Sequence, residues 1–387
     1  MISLHLIKTT VGASWALRQI KELIFFGCAV HVVLPDDSGL ADDYRNAGAI
    51  VHFINVDISQ AKSPVRFLIN LFKFRALVCA LNPDIVHSHF VGTSFFMRVA
   101  LAGVDVPRIF QVPGPLHLEN RFIRFLEVIS ASKSDYWIAT CTRTREYYLE
   151  SGVSPDRVGM IFYGTDMTRL LPSVKGRLRG ELGLSPDVKI VGMVAFVYAP
   201  KKWLGQSRGI KGHEDLIDAM ALLLKNRDDV VCVIVGGAWG DRANSYYENI
   251  VSYGTRKLGD KVYFLGSRSD VPQIYPDFDL AVHPSLSENL GGAGESLLMG
   301  IPTLATNVGG FPDIVIDGVT GWLTPPSDPE AMALRIAEAL DNPEEAVKRA
   351  HAGRSWLVQE LDVVKTSREV LDFYKTVIGC HHDKAHI

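Results

Sequence analysis

Two carboxylates, Glu288 and Glu295, lie in a glycine-rich stretch of the sequence that could bind phosphate and hydroxyl groups together. An apolar run at residues 279–282 precedes this stretch and a second one at residues 303–305 follows it, so two consecutive strand–loop–helix units are predicted, with Glu295 in the first turn of the helix between them. Glycine loops and helix N-termini carry unpaired backbone N–H groups that bind phosphate. A neighbouring carboxylate can hold sugar hydroxyls. The pattern therefore indicates a nucleotide-sugar site.

The same stretch resembles the signature of the family 4 retaining glycosyltransferases, which have the GT-B fold. That pattern runs Pro-Ser-x-x-Glu, a glycine-rich segment, a second Glu, and Gly-x-Pro followed by Gly-Gly. Alignment on Glu295, Pro302 and residues 309–310 places Ser287 at the first Glu position, with Glu288 one residue later. The resemblance implies that Glu295 holds the nucleotide ribose, while the sugar contact passes to Glu288 or to backbone groups. The alternative for Glu295 is an acid placed only to stabilise a helix N-terminus.

A cation for the donor diphosphate is implied by Lys211-Gly212, which looks like the Lys-Gly motif of the family. Positive charge there would neutralise the charge that develops on the departing nucleotide diphosphate. The family usually has an arginine just before this lysine, and Arg208 is the first choice here, ahead of Lys201 and Lys202. The alternative is a solvated basic loop. The donor-binding residues that the resemblance implies are Gly12, Gly236, Ser287, Asn289, Leu290, Gly291 and Gly292.

Candidates in the N-terminal half are fewer. Gly12 lies in the first strand–helix turn, where the family has a Gly-Gly turn near the diphosphate or acceptor, although a single glycine there also serves helix–strand packing. His87 and His89 follow a buried strand and are more simply structural. Pro113 stands where relatives often have His-Gly, so His117 is proposed as the replacement acceptor-side or sugar-contacting group.

No metal site and no cofactor are expected. Asp277 and Asp279 have the spacing of an Asp-x-Asp motif, but they lead into an apolar strand. His381 and His382 are interpreted as part of an exposed tail. In a GT-B enzyme, helix dipoles and cations are expected to do the work of a metal ion.

The elements that position these residues follow from the apolar patterning. Strands are predicted at residues 4–7, 29–34, 50–55, 85–87, 107–112 and 136–140, and in a second series at 189–196, 230–235, 262–265, 279–282 and 303–305. Helices are predicted at residues 15–26, 63–81, 212–225, 244–257, 329–340 and 366–378. Apolar strands that alternate with helices indicate an α/β fold with parallel sheets covered on both faces.

Two Rossmann-like domains facing each other across a cleft are therefore expected. The resemblance implies that the first domain, residues 1–168, binds the acceptor and is joined by a C-terminal helix at residues 366–380. It likewise implies that the second domain, residues 169–365, binds the donor. The polar, strand-free segment at residues 166–186 is interpreted as the link between them.

Composition excludes some classes of partner and compartment. The formal net charge of −3 gives no sign of nucleic-acid binding. The five cysteines are scattered and without metal-ligand spacing, which fits a reducing cytoplasm. No signal peptide is expected, and no apolar run approaches the roughly 18–20 residues that span a bilayer.

Two amphipathic stretches in the N-terminal half suggest peripheral contact with the inner face of a membrane. In the first, Lys62, Arg66 and Lys73 share a helical face opposite Phe67, Leu71 and Val78; in the second, Arg121 and Arg124 flank Phe122, Phe125, Leu126 and Ile129. Basic residues beside an apolar face suit an anionic bilayer interface. The alternative is that both apolar faces simply cover the sheet.

The resemblance implies a retaining, metal-independent glycosyltransferase that moves a sugar from a nucleotide-diphosphate sugar to a saccharide, lipid-linked or small-molecule acceptor. Two other classes remain open at this point: a GT-B nucleotide-sugar epimerase, and a non-catalytic nucleotide-sugar binding protein, to which the altered first Glu position gives weight.

Overall fold

The computed structural model describes residues 1–167, 175–200, 206–240 and 243–385, with side chains up to residue 381. It divides into two compact units, Met1–Asp166 with Glu360–Ile387, and Met167–Gln359. Lys201 and Lys202, the alternative cations, and the side chain of His382 lie outside the described residues.

The first unit is built on a seven-stranded parallel sheet in the order β3-β2-β1-β4-β5-β6-β7. Its strands are β1 Ile2–Leu6, β2 Ala29–Leu34, β3 Ile50–Phe53, β4 Ile85–Ser88, β5 Arg108–Phe110, β6 Asp135–Ala139 and β7 Val158–Met160. Its first helices are α1 Ser14–Phe25, α2 Ala41–Asn46, α3 Pro64–Leu81, α4 Val91–Ala100, α5 Leu116–Glu119, α6 Arg121–Ile129 and α7 Thr142–Glu150.

The second unit is built on a six-stranded parallel sheet in the order β10-β9-β8-β11-β12-β13. Its strands are β8 Lys189–Val194, β9 Val230–Val235, β10 Val262–Phe264, β11 Leu280–His283, β12 Thr303–Thr306 and β13 Trp322–Thr324. Its helices are α8 Arg177–Leu182, α9 His213–Leu223, α10 Asn244–Leu258, α11 Val271–Ile274, α12 Gly291–Leu298, α13 Phe311–Ile314, α14 Pro329–Asp341 and α15 Pro343–Glu360. The last helix, α16 Val363–Ala385, belongs to the first unit and packs on α1.

Both faces of the first sheet are covered, as the continuous apolar strands predicted. On one face, Leu4 and Leu6 of β1 pack in a cluster with residues of α3, α4, α5 and α7. On the other face, Ile7 and the β2 residues Val30 and Val32 pack with α1 and α16. The second sheet likewise has two apolar clusters, one for each face. The expected α/β fold of two parallel-sheet domains is confirmed.

The element boundaries mostly lie within a few residues of the predicted ones, with two informative differences. The predicted link at residues 166–186 contains helix α8, which Asp277 fixes by accepting hydrogen bonds from the backbone N–H groups of Gly176 and Leu178, both at 2.7 Å. Helix α12 begins at Gly291, so Glu295 lies beyond its first turn. The expectation that Glu295 occupies a helix N-terminal position is therefore wrong, because the glycines before it are already helical.

Among the described residues, no helix is both long enough and apolar enough to cross a lipid bilayer.

Candidate active site

A cavity of about 380 Å³ opens at the carboxyl ends of the strands of the second unit. Its lining includes residues that follow β8, β9, β10 and β11, together with the first turn of α12. The lining residues are Met193, Val194, Ala195, Phe196, Tyr198, Lys211, Val235, Gly236, Ser267, Arg268, Val271, His283, Ser285, Glu288, Gly291, Gly292, Glu295 and Phe311.

The position of the cavity follows from the strand order. Strand β8 lies between β9, its successor in sequence, and β11, which is distant in sequence. The connections from β8 and β11 therefore leave in opposite directions, and a crevice opens between them. Ligands of open α/β sheets bind at such a switch point, outside the carboxyl ends of the strands.

Lys211 and Glu288 meet inside this cavity as an ion pair. Backbone bonding brings their loops together, since Leu286 N donates to Ile210 O at 2.8 Å. Burial by itself would lower the pKa of Lys211, but the charge and hydrogen bond of Glu288, helped by Tyr198 and Glu295, outweigh it and raise the pKa. Lys211 therefore carries a full positive charge at neutral pH, with 20% of its side chain exposed.

Glycines allow the loops to approach this pair closely. A Cβ atom at Gly292 would lie 2.8 Å from the His283 ring and 3.1 Å from Val194 O, so a side chain there would displace both. Gly309 has φ 55° and its missing Cβ would overlap Glu288 O, while Gly310 N donates to the same oxygen at 3.2 Å. The second Gly-Gly turn thus supports the loop that carries Glu288.

The first turn of α12 faces the cavity through Gly291 and Gly292. The N–H groups of a first helical turn have no intrahelical partner and carry the positive end of the helix dipole. Glu295 lines the same cavity one turn later, is exposed, and interacts electrostatically with Lys211. The site therefore combines anion-binding groups, Lys211 and the α12 N-terminus, with two carboxylates able to accept hydroxyl hydrogen bonds.

His283, the last residue of β11, is a cavity residue that sequence reasoning did not single out. Its Nε2 lies 3.0 Å from Ser296 Oγ, and burial, together with the charge of Lys211, lowers the pKa of His283 to about 3. It is therefore neutral at physiological pH. Phe196, Tyr198, Ser267 and Arg268 were also missed, although a signal was available: Phe196 ends a predicted strand, and the other three lie within three residues after one. Arg268 is paired with Glu181 at 2.6 Å and with Asp270 at 2.8 Å.

The other candidates in this unit are not among the lining residues. Arg208 pairs with Asp215 and lies 3.4 Å from Asp218, so its charge is directed to α9. Ser287 and Leu290 are buried beside the cavity. Asn289 donates its N–H to Glu288 Oε1 at 3.1 Å and thereby orients the carboxylate of the ion pair. Of the predicted donor residues, the structure brings Gly236, Gly291 and Gly292 to the cavity together with Lys211, Glu288 and Glu295.

Gly12 and His117 belong to the first unit. Gly12 lies in the turn between β1 and α1 with φ 80°, a conformation that suits glycine. His117 is buried, with its Nε2 3.3 Å from Glu127 Oε2 and 3.5 Å from Tyr148 OH. Burial would raise the pKa of Glu127, but the charge and hydrogen bond of His117 lower it to about 2. His117 thus has a buried carboxylate partner, and its acceptor-side role stays a prediction.

His87 of β4 and His89, which follows β4, form a buried network with His5, a residue that the sequence did not single out. The ring nitrogens of His5, His87 and His89 lie within 4.8 Å of one another. His5 Nδ1 lies 2.9 Å from His89 Nε2, and His89 Nδ1 lies 2.8 Å from Tyr163 OH. His87 Nδ1 bonds Tyr374 of α16. These bonds join β1 and β4 to the returning C-terminal helix, which supports the structural interpretation of His87 and His89.

Asp277 and Asp279, the pair with Asp-x-Asp spacing, hold helix α8 in place. Besides the Asp277 bonds to α8, Asp279 accepts from Arg179 Nη2 at 2.7 Å and from Ile190 N at 2.9 Å. Their oxygens thus have protein partners.

Comparison with known proteins agrees with this architecture. Residues 204–356 match the family model described as "Glycosyl transferases group 1", and residues 13–169 match that of "Glycosyltransferase Family 4". A D-inositol 3-phosphate glycosyltransferase of Segniliparus rotundus is 33% identical over 221 residues, which are 54% of this chain and 46% of the relative. The lipopolysaccharide core biosynthesis mannosyltransferase LpsB of Rhizobium meliloti is 27% identical over 250 residues, 64% of this chain and 67% of the relative. The chain thus spans about half the length of the first of these relatives.

Solved structures share the fold over nearly the whole chain. Anabaena HepE in complex with UDP-glucose has a TM-score of 0.78 at 21% identity, covering 97% of this chain and 100% of HepE. The sucrose-phosphate synthase of Thermosynechococcus elongatus has a TM-score of 0.78 at 19% identity, covering 98% and 100%. The fold and site define a two-domain α/β protein with the GT-B fold. With both family models matched, the chain belongs to glycosyltransferase family 4, within the group 1 glycosyltransferases.

Proposed function

We propose that this protein is a glycosyltransferase that moves a sugar from a nucleotide-diphosphate sugar to an acceptor hydroxyl. The observation that carries the proposal is the meeting of Lys211, Glu288, Glu295 and the α12 N-terminus in one cavity at the switch point of the second sheet. These groups provide what a donor of this kind requires, positive charge for two phosphates and acceptors for sugar or ribose hydroxyls.

The diphosphate would be held between the Lys211 ammonium and the N–H groups of Gly291 and Gly292. Lys211 is already charged and lines the same cavity as the α12 N-terminus. Donor binding therefore requires that a phosphate oxygen replace the Glu288 carboxylate as the partner of Lys211. Glu288, released from the pair, can then accept a hydroxyl of the donor sugar. Glu295, one helical turn from the phosphate-binding amides, is proposed to accept the ribose hydroxyls.

The reaction is proposed to retain the configuration of the transferred sugar. The bond between the anomeric carbon and the phosphate oxygen breaks, and the acceptor oxygen bonds to the same carbon on the same face. The acceptor proton passes to the departing phosphate oxygen, so that atoms and charge balance. Lys211 and the α12 dipole stabilise the negative charge on the nucleotide diphosphate, the part that a metal ion would otherwise take.

The relatives indicate the class of donor and of acceptor. Support for a nucleotide-sugar donor comes from HepE, whose structures hold UDP and UDP-glucose, and support for a saccharide acceptor comes from LpsB, a lipopolysaccharide core mannosyltransferase. A saccharide or lipid-linked acceptor is therefore proposed, with no cofactor beyond the nucleotide sugar. Contact of the first unit with a membrane surface is also proposed.

The test begins with thermal unfolding against a panel of nucleoside diphosphates and their sugars. A donor at a hundredfold excess over its dissociation constant raises apparent stability by about 2.7 kcal/mol. The stabilising donor is then incubated alone, with and without a chelator, and its sugar is analysed. Slow hydrolysis that becomes fast transfer when acceptor is added supports the proposal. A change of sugar configuration without acceptor would identify an epimerase, and binding without turnover would identify a binding protein.

A further inference from the structure

Helix α6 exposes its apolar face instead of burying it. Phe122 is 68% exposed, Phe125 57%, and Leu126 and Ile129 point to the same side. At 100° per residue these four positions fall within one stripe about 100° wide. The one residue of α6 that is fully buried is an acid, Glu127, which accepts a hydrogen bond from Tyr148 OH at 2.7 Å. The helix is thus anchored to the unit by a polar contact and presents its apolar stripe to solvent.

Helix α3 has two apolar faces, of which one is exposed. Phe67, Leu71, Phe74 and Val78 pack inward on the sheet, so the face named from the sequence does cover the sheet. The opposite stripe consists of Val65, Leu68, Ile69 and Phe72, which are exposed by 69%, 52%, 47% and 71%. A helix that is apolar all round is ordinarily buried all round. The outward stripe of α3 therefore lacks a partner among the described residues.

The two exposed stripes lie on the same side of the first sheet. Phe67 and Leu71 of α3 and Val128 of α6 pack against the same apolar cluster on one face of that sheet. Each outward stripe is opposite the side of its helix that packs inward, so both point away from the sheet in the same general direction. Exposed apolar surface on this scale marks an interaction site for a protein or a membrane.

The charges of the two helices distinguish between these occupants. Arg66, Lys73 and Arg75 are the charged residues of α3, and Arg121, Arg124 and the buried Glu127 are those of α6. Every charged side chain of these helices outside the core is therefore basic, in a protein whose formal net charge is −3. A second copy docked through a two-fold axis would bring the same patch against itself, basic residues included, which is unfavourable. An anionic lipid surface has the complementary charge and an apolar layer beneath it.

We propose that the outward stripes of α3 and α6 form one docking surface that inserts into the interface of an anionic phospholipid bilayer. Phe72 and Phe125 supply the inserted rings, while Arg66, Lys73 and Arg121 contact lipid phosphates. The purpose of this surface rests on the proposed function. Docking would hold the acceptor-binding unit at a membrane that carries a lipid-linked acceptor. Its test does not depend on turnover.

The test is flotation of the full chain with phosphatidylcholine vesicles that contain rising fractions of phosphatidylglycerol, at low and at high salt. The protein is expected to float with the anionic vesicles and to remain below with phosphatidylcholine alone. The double variant Phe72→Asp, Phe125→Asp should lose flotation. The double variant Arg66→Gln, Lys73→Gln should weaken partitioning about 25-fold, at roughly fivefold for each basic residue near the surface.

Phe25→Asp and Leu334→Asp are matched controls, since these side chains are 80% and 73% exposed but lie on α1 and α14. Both controls should float as the wild type does, and thermal unfolding should show all variants folded. Failure of the wild type to float, or equal loss in the controls, would overturn the proposal. Concentration-dependent dimerisation that Phe125→Asp abolishes, without flotation, would assign the surface to a second copy instead. Thermal stabilisation by the donor is measured on the wild type and on the same variants. A wild-type protein that the donor stabilises but that does not float would contradict the membrane proposal alone and leave the proposed glycosyltransferase function intact.

Discussion

Replacement of Lys211 by alanine separates a role in chemistry from a role in stability. Its ammonium pairs with Glu288 in the cavity, and the two side chains are only 20% and 14% exposed. If the ammonium stabilises charge on the departing diphosphate, its loss should cost about 2.7–4 kcal/mol in the transition state, a decrease in kcat of about 10²–10³-fold.

The expected cost in stability is smaller. Glu288, left without Lys211, keeps the N–H of Asn289 at 3.1 Å and borders the open cavity, so its carboxylate stays solvated. We expect a decrease of about 1 kcal/mol in the free energy of unfolding, as for a pair that solvent reaches. That is a small part of the roughly 5–15 kcal/mol of a typical domain, so the variant should remain folded.

The assay is release of nucleoside diphosphate at saturating donor and acceptor, with urea unfolding of each variant in parallel. Lys257→Ala is the matched control, because Lys257 also pairs with a carboxylate, Asp218 at 2.6 Å, but does not line the cavity. Arg208→Ala tests the second predicted cation. Its pairing with Asp215, whose side chain is 1% exposed, predicts a loss of stability with a modest loss of rate.

Adding Glu288→Gln to Lys211→Ala should not restore the rate, because it removes a carboxylate but supplies no cation. Near-normal kcat in a folded Lys211→Ala variant would refute the assignment, and so would equal, mild losses of rate for Lys211, Arg208 and Lys257.

Three further predictions concern the site and the buried histidines. Glu295→Gln should weaken donor binding and turnover with little change in the free energy of unfolding. The dipole effect of about 0.3–1 kcal/mol applies to the first turn of α12, and Glu295 lies beyond that turn. Wild-type donor affinity of the variant, measured by calorimetry, would contradict this prediction. Gly292→Ala should destabilise the protein by about 1–3 kcal/mol, because the added methyl group meets the His283 ring. Gly379→Ala, in a helix where the added methyl group would have no atom within 4 Å, should stabilise the protein by about 0.5–1 kcal/mol. Equal unfolding midpoints for the two variants would argue against the packing seen at Gly292. Burial lowers the pKa of His5 from 6.5 to about 3, so the unfolded chain binds more protons than the folded chain between these pH values. The free energy of unfolding should therefore fall as the pH falls through that window. Denaturation curves at neutral and mildly acidic pH should show this decrease, and the decrease should be smaller in His5→Gln.

The sequence was most informative where local pattern and backbone chemistry agree. Apolar runs between turn residues located β2 and β9 to the residue, because a six-residue apolar run has the length of a strand in a covered parallel sheet and is short for a helix. Glu295 was singled out from its glycine-rich surroundings, Lys211 and Glu288 were singled out from the family resemblance, and the structure brings all three into one cavity. The short elements α2, α5 and β7 were missed, because a few residues carry too little periodicity to identify. The longer helices α4, α7 and α15 were missed as well; α15 buries mainly small residues, Ala346, Ala350 and Gly353, which give a weak apolar pattern.

Other features depended on contacts between distant residues. The direction of the Arg208 charge was decided by Asp215 and Asp218 of α9, which are only seven and ten residues away in sequence but reach Arg208 through a loop conformation that no apolar pattern encodes. His5 became part of the network of His87 and His89 only because β1 and β4 are neighbours, with His5 in register with His87. The start of α12 at Gly291 also depended on tertiary packing, since glycine by itself disfavours a helix.

Sequence by itself therefore determined the α/β class, the family resemblance and the residues able to bind phosphate and hydroxyl groups, because strand patterning and the chemistry of side chains are local properties. Tertiary structure alone decided which of those residues share a cavity, which apolar faces of α3 and α6 are buried, and which charges are already paired. Helical periodicity shows that a face is apolar, but only the position of the neighbouring elements decides whether that face meets the sheet or the solvent.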